Sequence, residues 1–335
     1  MPKAFEIAGL RAMPGTKVSG WLEVGKGAGG APVGIPLVIL HGKKEGKVVV
    51  VDAATHGDET EGPLALVSVV RELDPQSMAG TLIAVPALNF QAFEYAARGN
   101  PFEIHHYDLN RLYPGETGGS ITQRIAAAYL ENVVKRAVAV LTLHGGGTPF
   151  YLDGFVIAQG VGGDSLELVR AMGWKRFTDS PDIAVNPYQG TLTSFCRQLG
   201  IASITVEMGG VSHRAPKQLY RTKNEMVRGI RNVMIHYGLL DGKPDRPETL
   251  QRIRKQNLRS KNGGLIELEP GIDIDAPVKE GQLMMRIYDI FGNLTEEHKA
   301  PFSGLVMGLP GSAQAFPGRI IGSVYQVVEE IPTRV

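Results

Sequence analysis

The sequence contains a single cysteine, Cys196, among its 335 residues. No internal disulfide can form, which is typical of proteins in a reducing compartment, so we predict a cytoplasmic location. The chain also lacks any run of the roughly 20 apolar residues that a membrane-spanning helix requires. Its first residues show no apolar segment of the kind found in secretory signal peptides. We therefore expect no membrane partner.

The chain also lacks an excess of positive or negative charge, because its formal net charge is only +1 at pH 7. This balance gives no general attraction to nucleic acid or to anionic membranes, and we expect neither as a partner. Hydrophobic residues make up 43% of the chain, which is enough for a sizeable core. The length predicts two domains, or one large domain with an appendage.

Strand-like and helix-like segments alternate between residues 36 and 250. The apolar, strand-like segments are residues 37–40, 47–54, 81–88, 137–143 and 202–207. Helical patterns cover residues 62–73, 120–137, 164–173, 192–200 and 216–237, and Ser120 with Gln123 forms a capping box at the start of the second. This order predicts an α/β fold with a doubly wound sheet.

From about residue 262 the pattern changes to short strands separated by turn residues, with no evident helix. We predict an α/β catalytic domain over residues 1–255, which includes an N-terminal β segment at 1–34. A small all-β, barrel-like domain is predicted over residues 262–335. The basic stretch 252–261 between them is interpreted as a solvated linker or an exposed edge, since the balanced net charge disfavours a nucleic-acid patch.

Three residues indicate a metal site. His56 and Glu59 lie three positions apart after an apolar run, and His144 ends a second run. A spacing of three places both side chains on one side of a helical turn or tight loop, so they can bind one ion. Two imidazoles and one carboxylate are the usual protein ligands of a hydrolytic zinc, with a fourth position left for water. We therefore predict one zinc ion per chain.

Strand ends are expected to bring these residues together with Glu207. In open α/β sheets, ligands bind beyond the carboxyl ends of the strands. His56 and His144 follow such ends, and Glu207 ends the segment 202–207. Taken singly, Glu59 could be a carboxylate at a helix N-terminus and His144 a core histidine. A carboxylate that ends an apolar strand is costly unless it is paired or near a metal, so the four together favour a metal site.

Residues 98–111 add candidates for binding a substrate. Arg111 offers a planar guanidinium that matches a carboxylate, and Asn110 adds amide donors. A turn with a surface salt bridge explains this pair equally well. Arg98 is a candidate for polarising a carbonyl group.

Four motifs in this order resemble the succinylglutamate desuccinylase/aspartoacylase family, which is related to the zinc carboxypeptidases. They are HGDE at 56–59, DLNR at 108–111, the strand that ends in His144, and VEMGG at 206–210. The resemblance covers residues 36–330. It implies a mixed sheet of the zinc-carboxypeptidase type and a C-terminal domain similar to lipoyl domains.

The resemblance also implies a role for each candidate residue. His56, Glu59 and His144 would hold the zinc ion, and Glu207 would activate the attacking water. Asn110 and Arg111 would bind the α-carboxylate of the substrate, and Arg98 would polarise the scissile carbonyl.

The predicted function is zinc-dependent hydrolysis of a small N-acyl amino acid to a carboxylate and a free amino acid. A zinc carboxypeptidase or peptide amidase, which applies the same chemistry to a peptide, is the nearest alternative. A non-catalytic binding or carrier protein is the remote one, because Lys279 lacks the flanking residues usual at a modified lysine. The sequence is compatible with a homo-oligomer.

Overall fold

The computed structural model describes residues 2–158, 164–179, 190–211 and 216–333. The helices are α1 (Glu61–Glu72), α2 (Phe90–Glu94), α3 (Ile121–Asn132), α4 (Asp164–Met172), α5 (Leu192–Gln198) and α6 (Pro216–His236). The strands are β1 (Phe5–Ile7), β2 (Leu10–Ala12), β3 (Thr16–Lys26), β4 (Pro32–His41), β5 (Lys44–Ala53), β6 (Ala79–Val85), β7 (Ala139–His144), β8 (Phe150–Ala158), β9 (Arg176–Asp179), β10 (Ala202–Gly209), β11 (Thr249–Arg259), β12 (Gly264–Leu268), β13 (Pro277–Val278), β14 (Leu283–Tyr288), β15 (Leu294–Lys299), β16 (Gly304–Pro310), β17 (Gln314–Ala315) and β18 (Ile320–Pro332). None of the described helices has the length and apolar character that a membrane crossing requires.

A mixed sheet of twelve strands organises the chain, in the order β13-β16-β18-β11-β9-β8-β10-β7-β5-β6-β4-β3. Strands β6, β5, β7 and β10 run parallel to one another. Strands β4 and β8 are antiparallel to their neighbours β6 and β10. The carboxyl ends of β5, β7 and β10 therefore meet at one edge of the sheet, where α/β proteins bind ligands.

Helices cover both faces of this sheet, as β5 illustrates. Val49 and Val51 pack into a core with Leu66 of α1. Val50, whose side chain points the opposite way, packs into a second core with Ile125 of α3. A strand buried on both faces has a continuous apolar sequence, and this explains why the apolar run at 47–54 predicts a strand. The doubly wound α/β fold is confirmed.

Local capping signals agree with the structure. Ser120 Oγ accepts a hydrogen bond from the Gln123 backbone at 3.3 Å, and Gln123 Oε1 accepts one from the Ser120 backbone at 2.9 Å. This predicted capping box starts α3 where expected.

Cys196 is buried in the core beside α3, so it packs as a small apolar residue.

The predicted β-rich C-terminal region is confirmed, but its junction differs from the prediction. A separate sheet, β15-β14-β12-β17, packs with strands β11, β13, β16 and β18 of the large sheet around a distinct apolar core. The interpretation of 252–261 as a solvated linker is wrong for 252–259, because these residues belong to β11, which pairs along its whole length with β18. Leu250 and Ile253 anchor this strand in the core, although basic residues dominate its sequence. The domain boundaries at 255 and 262 stay predictions.

A buried carboxylate lies in β5 beneath the edge where β5 and β7 end. Asp52 accepts hydrogen bonds from Thr142 Oγ1 at 2.7 Å and from Tyr129 Oη at 2.8 Å. Its side chain is inaccessible to solvent. Burial raises the pKa of Asp52 to about 6, and the two hydroxyl donors only partly oppose this rise.

This raised pKa predicts how stability depends on pH. The Asp52 carboxyl binds its proton more tightly in the folded protein than in the unfolded chain, whose reference pKa is 3.8. Stability should therefore fall as the pH rises through this interval. We expect wild type to lose on the order of 2–3 kcal/mol more than Asp52→Asn between about pH 4 and about pH 7. Urea unfolding with a chelator present measures the difference, and equal pH dependence in the two proteins would contradict the assignment.

Candidate functional site

His56, Glu59 and His144 converge at the carboxyl edge of the sheet. Their potential ligand atoms all lie within 4.8 Å of one another. Glu59 Oε1 is 2.7 Å from His56 Nδ1, and Glu59 Oε2 is 2.9 Å from His144 Nδ1. All three residues are buried. Side chains that are 85 positions apart in sequence are thus arranged around one point.

The local backbone explains this convergence. The loop after β5 closes on itself, since the Glu59 backbone N–H donates to the His56 carbonyl at 3.2 Å. His144 is the last residue of β7, the strand next to β5. The backbone N–H of Gly145 then donates to Glu59 Oε2 at 3.1 Å, which fixes the carboxylate between the two strand ends.

The residues fit a divalent metal ion. Two imidazoles and a carboxylate are the donor set of hydrolytic zinc sites. His56 Nε2 lies 3.0 Å from Asp108 Oδ1, the kind of outer carboxylate that orients a metal-binding histidine. His144 Nε2 is buried without a hydrogen-bond partner among the described residues, so this imidazole keeps a nitrogen that a ligand could satisfy.

Electrostatics couple these groups tightly. Burial lowers the pKa of His56, but Glu59 and Asp108 outweigh burial and raise it to about 9. Burial raises the pKa of Glu59, but the two histidines outweigh it and hold that pKa well below its usual range. Glu59 is therefore ionised. A cation bound here would compete with the proton on His56, so metal binding would release a proton.

Arg98 lies beside this cluster. Its Nη2 is 2.9 Å from Asp108 Oδ2, and its Nη1 is 3.8 Å from Glu59 Oε1. Its side chain is 56% exposed, so a ligand can reach the guanidinium. The sequence interpretation missed Asp108, which links Arg98 to His56, although Asp108 is the first residue of the DLNR motif.

Asn110 and Arg111 follow Asp108 in a single helical turn. Asn110 Oδ1 accepts a hydrogen bond from the Leu192 backbone at 3.0 Å, so its Nδ2 group is the part that can donate to a ligand. Arg111 is exposed and donates to the Asn110 carbonyl at 2.7 Å. Both side chains present donors suited to an anion.

Glu207 lies beside His144, because the two residues are Cα partners in the parallel ladder between β10 and β7. Burial and the nearby Glu59 raise the pKa of Glu207, while His144 and Lys255 oppose the rise. A half-buried carboxyl group with a raised pKa is suited to accepting and returning a proton.

The loop after Glu207 is held by a buried carboxylate that the sequence interpretation missed. Gly210 has a φ of +103°, which other residues rarely adopt. Its backbone N–H donates to Glu61 Oε1 at 2.8 Å. Glu61 is buried at the start of α1, two residues after Glu59. The HGDETEG segment therefore contributes two residues to the candidate metal cluster and also positions the strand end that carries Glu207.

A cavity of about 370 Å³ lies over this cluster, and we call it the central cavity. All seven predicted site residues line it: His56, Glu59, Arg98, Asn110, Arg111, His144 and Glu207. Four further polar residues, which we call the basic wall, line it from the C-terminal strands: Lys255, Asn257, Arg259 and Arg319. The sequence interpretation missed the basic wall because it assigned residues 252–261 to a linker.

Fold and cavity together define a mixed-sheet α/β protein with a candidate metal centre at the carboxyl ends of its strands. The chain belongs to the succinylglutamate desuccinylase/aspartoacylase family. The catalytic-domain model of that family matches residues 45–237. These bounds include all seven predicted site residues.

The similarity to named proteins extends over most of the chain. The N-alpha-acetyl-L-2,4-diaminobutyric acid deacetylase of Halomonas elongata is 29% identical over 89% of this chain and 87% of its own length. The product-bound ectoine utilization protein EutE (DoeB) from Ruegeria pomeroyi has a TM-score of 0.81 at 25% identity, covering 93% of this chain and 97% of that one. A succinylglutamate desuccinylase from a Silicibacter species has a TM-score of 0.80 at 26% identity, covering 93% and 95%.

The contact between Glu61 and Gly210 can be tested through stability. Glu61→Ala removes the carboxylate that accepts the Gly210 N–H, and we expect a loss of about 1–3 kcal/mol in unfolding free energy. Glu61→Gln keeps an oxygen acceptor and should lose clearly less. Denaturant unfolding of the three proteins provides the comparison, and equal losses in both variants would show that the hydrogen bond is not what Glu61 contributes.

Proposed function

We propose that the protein is a zinc-dependent amide hydrolase that cleaves a small N-acyl amino acid to a carboxylate and a free amino acid. The observation that carries the proposal is the gathering of His56, Glu59 and His144 beside Glu207 in one cavity. Family membership supports it, because the relatives above are named as a deacetylase and a desuccinylase. We propose zinc because two imidazoles and one carboxylate are its usual ligands in hydrolases. The same ligands also bind other transition metals.

His56, Glu59 and His144 would hold the ion. A zinc ion at this position would polarise the amide carbonyl and lower the pKa of water toward about 7. Asp108 keeps His56 oriented through Nε2, so that Nδ1 stays directed at Glu59 and the centre.

Glu207 is the proposed general base and acid. Its carboxylate would accept the proton of the attacking water and deliver it to the nitrogen of the departing amine. Its place beside His144 and its raised pKa suit both steps. The amide carbon would be attacked between Glu207 and the metal cluster.

Arginine and asparagine side chains would orient the substrate. Arg111 and the Nδ2 group of Asn110 would bind the α-carboxylate and so hold the amide in register with Glu207. Arg98, which lies near Glu59, would stabilise negative charge on the carbonyl oxygen as the tetrahedral intermediate forms.

A peptide-cleaving enzyme is the alternative with the same chemistry. The basic wall lines the central cavity on the C-terminal side. We take this wall as the reason to favour a small substrate over a long peptide. Zinc analysis of the purified protein, combined with assays of N-acyl amino acids and of short peptides, tests the proposal. Metal-dependent release of free amino acid supports it, whereas cleavage of peptides alone would favour the alternative. The cytoplasmic location and the oligomeric state stay predictions.

Loss of one imidazole tests the metal centre. Loss of a residue that only orients a metal ligand weakens metal binding by about 10–100-fold. Because His144→Ala removes a proposed ligand itself, zinc binding should weaken by more than this. Zinc per chain after dialysis against a competing chelator is the measurement. His105→Ala, which removes an exposed histidine outside the central cavity, is the matched control. Unchanged zinc content in His144→Ala would refute its role as a ligand.

Glu207→Gln tests the proton-transfer step. The amide has nearly the shape of the carboxylate but cannot accept a proton, so we expect zinc content to persist while kcat falls about 10²–10⁴-fold. Steady-state assays on the best substrate of the panel give the comparison. Near-normal turnover would remove Glu207 from the mechanism.

A further inference from the structure

The basic wall originates from the alternation of side chains along β11. Lys255, Asn257 and Arg259 are separated by two positions, so they point to the same face of the strand, and all three line the central cavity. Arg319 joins them from the residue before β18, where its backbone carbonyl accepts from Ser260 at 3.1 Å. This wall is formed by regular, hydrogen-bonded strands and so is held in place.

Positive charge dominates the described lining of the central cavity. Five cationic side chains line it: Arg98, Arg111, Lys255, Arg259 and Arg319. Its two carboxylates, Glu59 and Glu207, are already assigned to the metal cluster and to proton transfer. No described carboxylate is left in the lining to bind a cationic group of a substrate.

Lys255 is the member of the basic wall that interacts electrostatically with the proposed general base, Glu207. Its ammonium lies 4.6 Å from the centre of the Phe155 ring, and Phe155 is itself a buried residue of the cavity lining. Lys255 interacts electrostatically with Glu207, yet it makes no ion pair among the described residues. Charge in such surroundings is costly unless a partner is supplied, and a substrate can supply it.

This arrangement does not suit a substrate with a free amino group. The Halomonas relative is named for a diaminobutyric acid derivative, in which one amino group is acetylated and the second is free. In the central cavity of this chain, a substrate ammonium near β11 would meet Lys255, Arg259 and Arg319. Like charges in a partly enclosed site repel strongly.

We propose that Lys255 determines substrate specificity by charge: it binds a second carboxylate of the substrate and excludes an ammonium group at that position. The inference rests on the proposed hydrolysis of N-acyl amino acids. It specifies the substrates as those that carry a second carboxylate. The second carboxylate belongs either to the amino-acid side chain or to the acyl group, and Arg259 and Arg319 add to its attraction.

Matched substrates test the proposal. N-acetylaspartate, N-acetylasparagine and Nα-acetyl-2,4-diaminobutyrate have side chains of similar size that are anionic, neutral and cationic. N-succinylalanine and N-acetylalanine make the same comparison in the acyl group. Wild type should show the highest kcat/KM for a carboxylate-bearing member of one series and the lowest for the cationic substrate. The series that shows the preference locates the second carboxylate.

Substitution of Lys255 should change this order. Lys255→Met keeps the length of the side chain but loses the charge, so we expect the carboxylate-to-neutral ratio of kcat/KM to fall about 10–100-fold, chiefly through KM. Lys255→Glu should invert the ratio. Arg259→Met, at an exposed position, should lower it less. Lys279→Met removes an exposed lysine outside the central cavity and should leave the ratio unchanged.

Two results would overturn the inference alone. One is a wild type that cleaves neutral N-acetyl amino acids without preferring a carboxylate. The other is a carboxylate preference that survives in a folded, zinc-containing Lys255→Met. Both leave the proposed hydrolysis intact. A zinc-loaded wild type that cleaves no member of either series would instead refute the proposed function, and this inference with it.

Discussion

The rest of the site depends on the position of one buried carboxylate between two imidazoles. Glu59 contacts His56 through one oxygen and His144 through the other, and the Gly145 backbone holds it there. Since β5 and β7 are adjacent and parallel, this contact joins two strand ends at the sheet edge. The same contact therefore holds the three side chains together in an arrangement that a divalent cation could use.

Around that centre, neighbouring elements each supply one requirement of the chemistry. The strand next to His144 presents Glu207, and Glu61 holds the loop that follows. Asp108 contacts both His56 and Arg98, so one carboxylate joins the proposed metal ligands to the arginine that we propose polarises the carbonyl group. The C-terminal strands then supply the basic wall. The C-terminal strands are thus part of the cavity.

Much of this could be predicted from local patterns. Buried strands such as β5 read as continuous apolar runs, the capping box of α3 is a short-range signal, and the strand-end rule located His56, His144 and Glu207. Strands β8, β9 and β11 were not predicted. The alternation of Lys255, Asn257 and Arg259 in β11 faces a polar cavity, so the strand lacks the apolar signature of a buried one. The role of Asp108 depends on contacts across the fold, which spacing does not reveal.

We propose that His56, Glu59 and His144 together bind a single zinc ion. X-ray absorption at the zinc edge tests this binding most directly, in protein loaded with one equivalent of zinc. We expect nitrogen and oxygen neighbours at about 2.0–2.2 Å, with multiple scattering from two imidazole rings. A zinc environment with fewer than two imidazoles, or one containing sulfur, would contradict it.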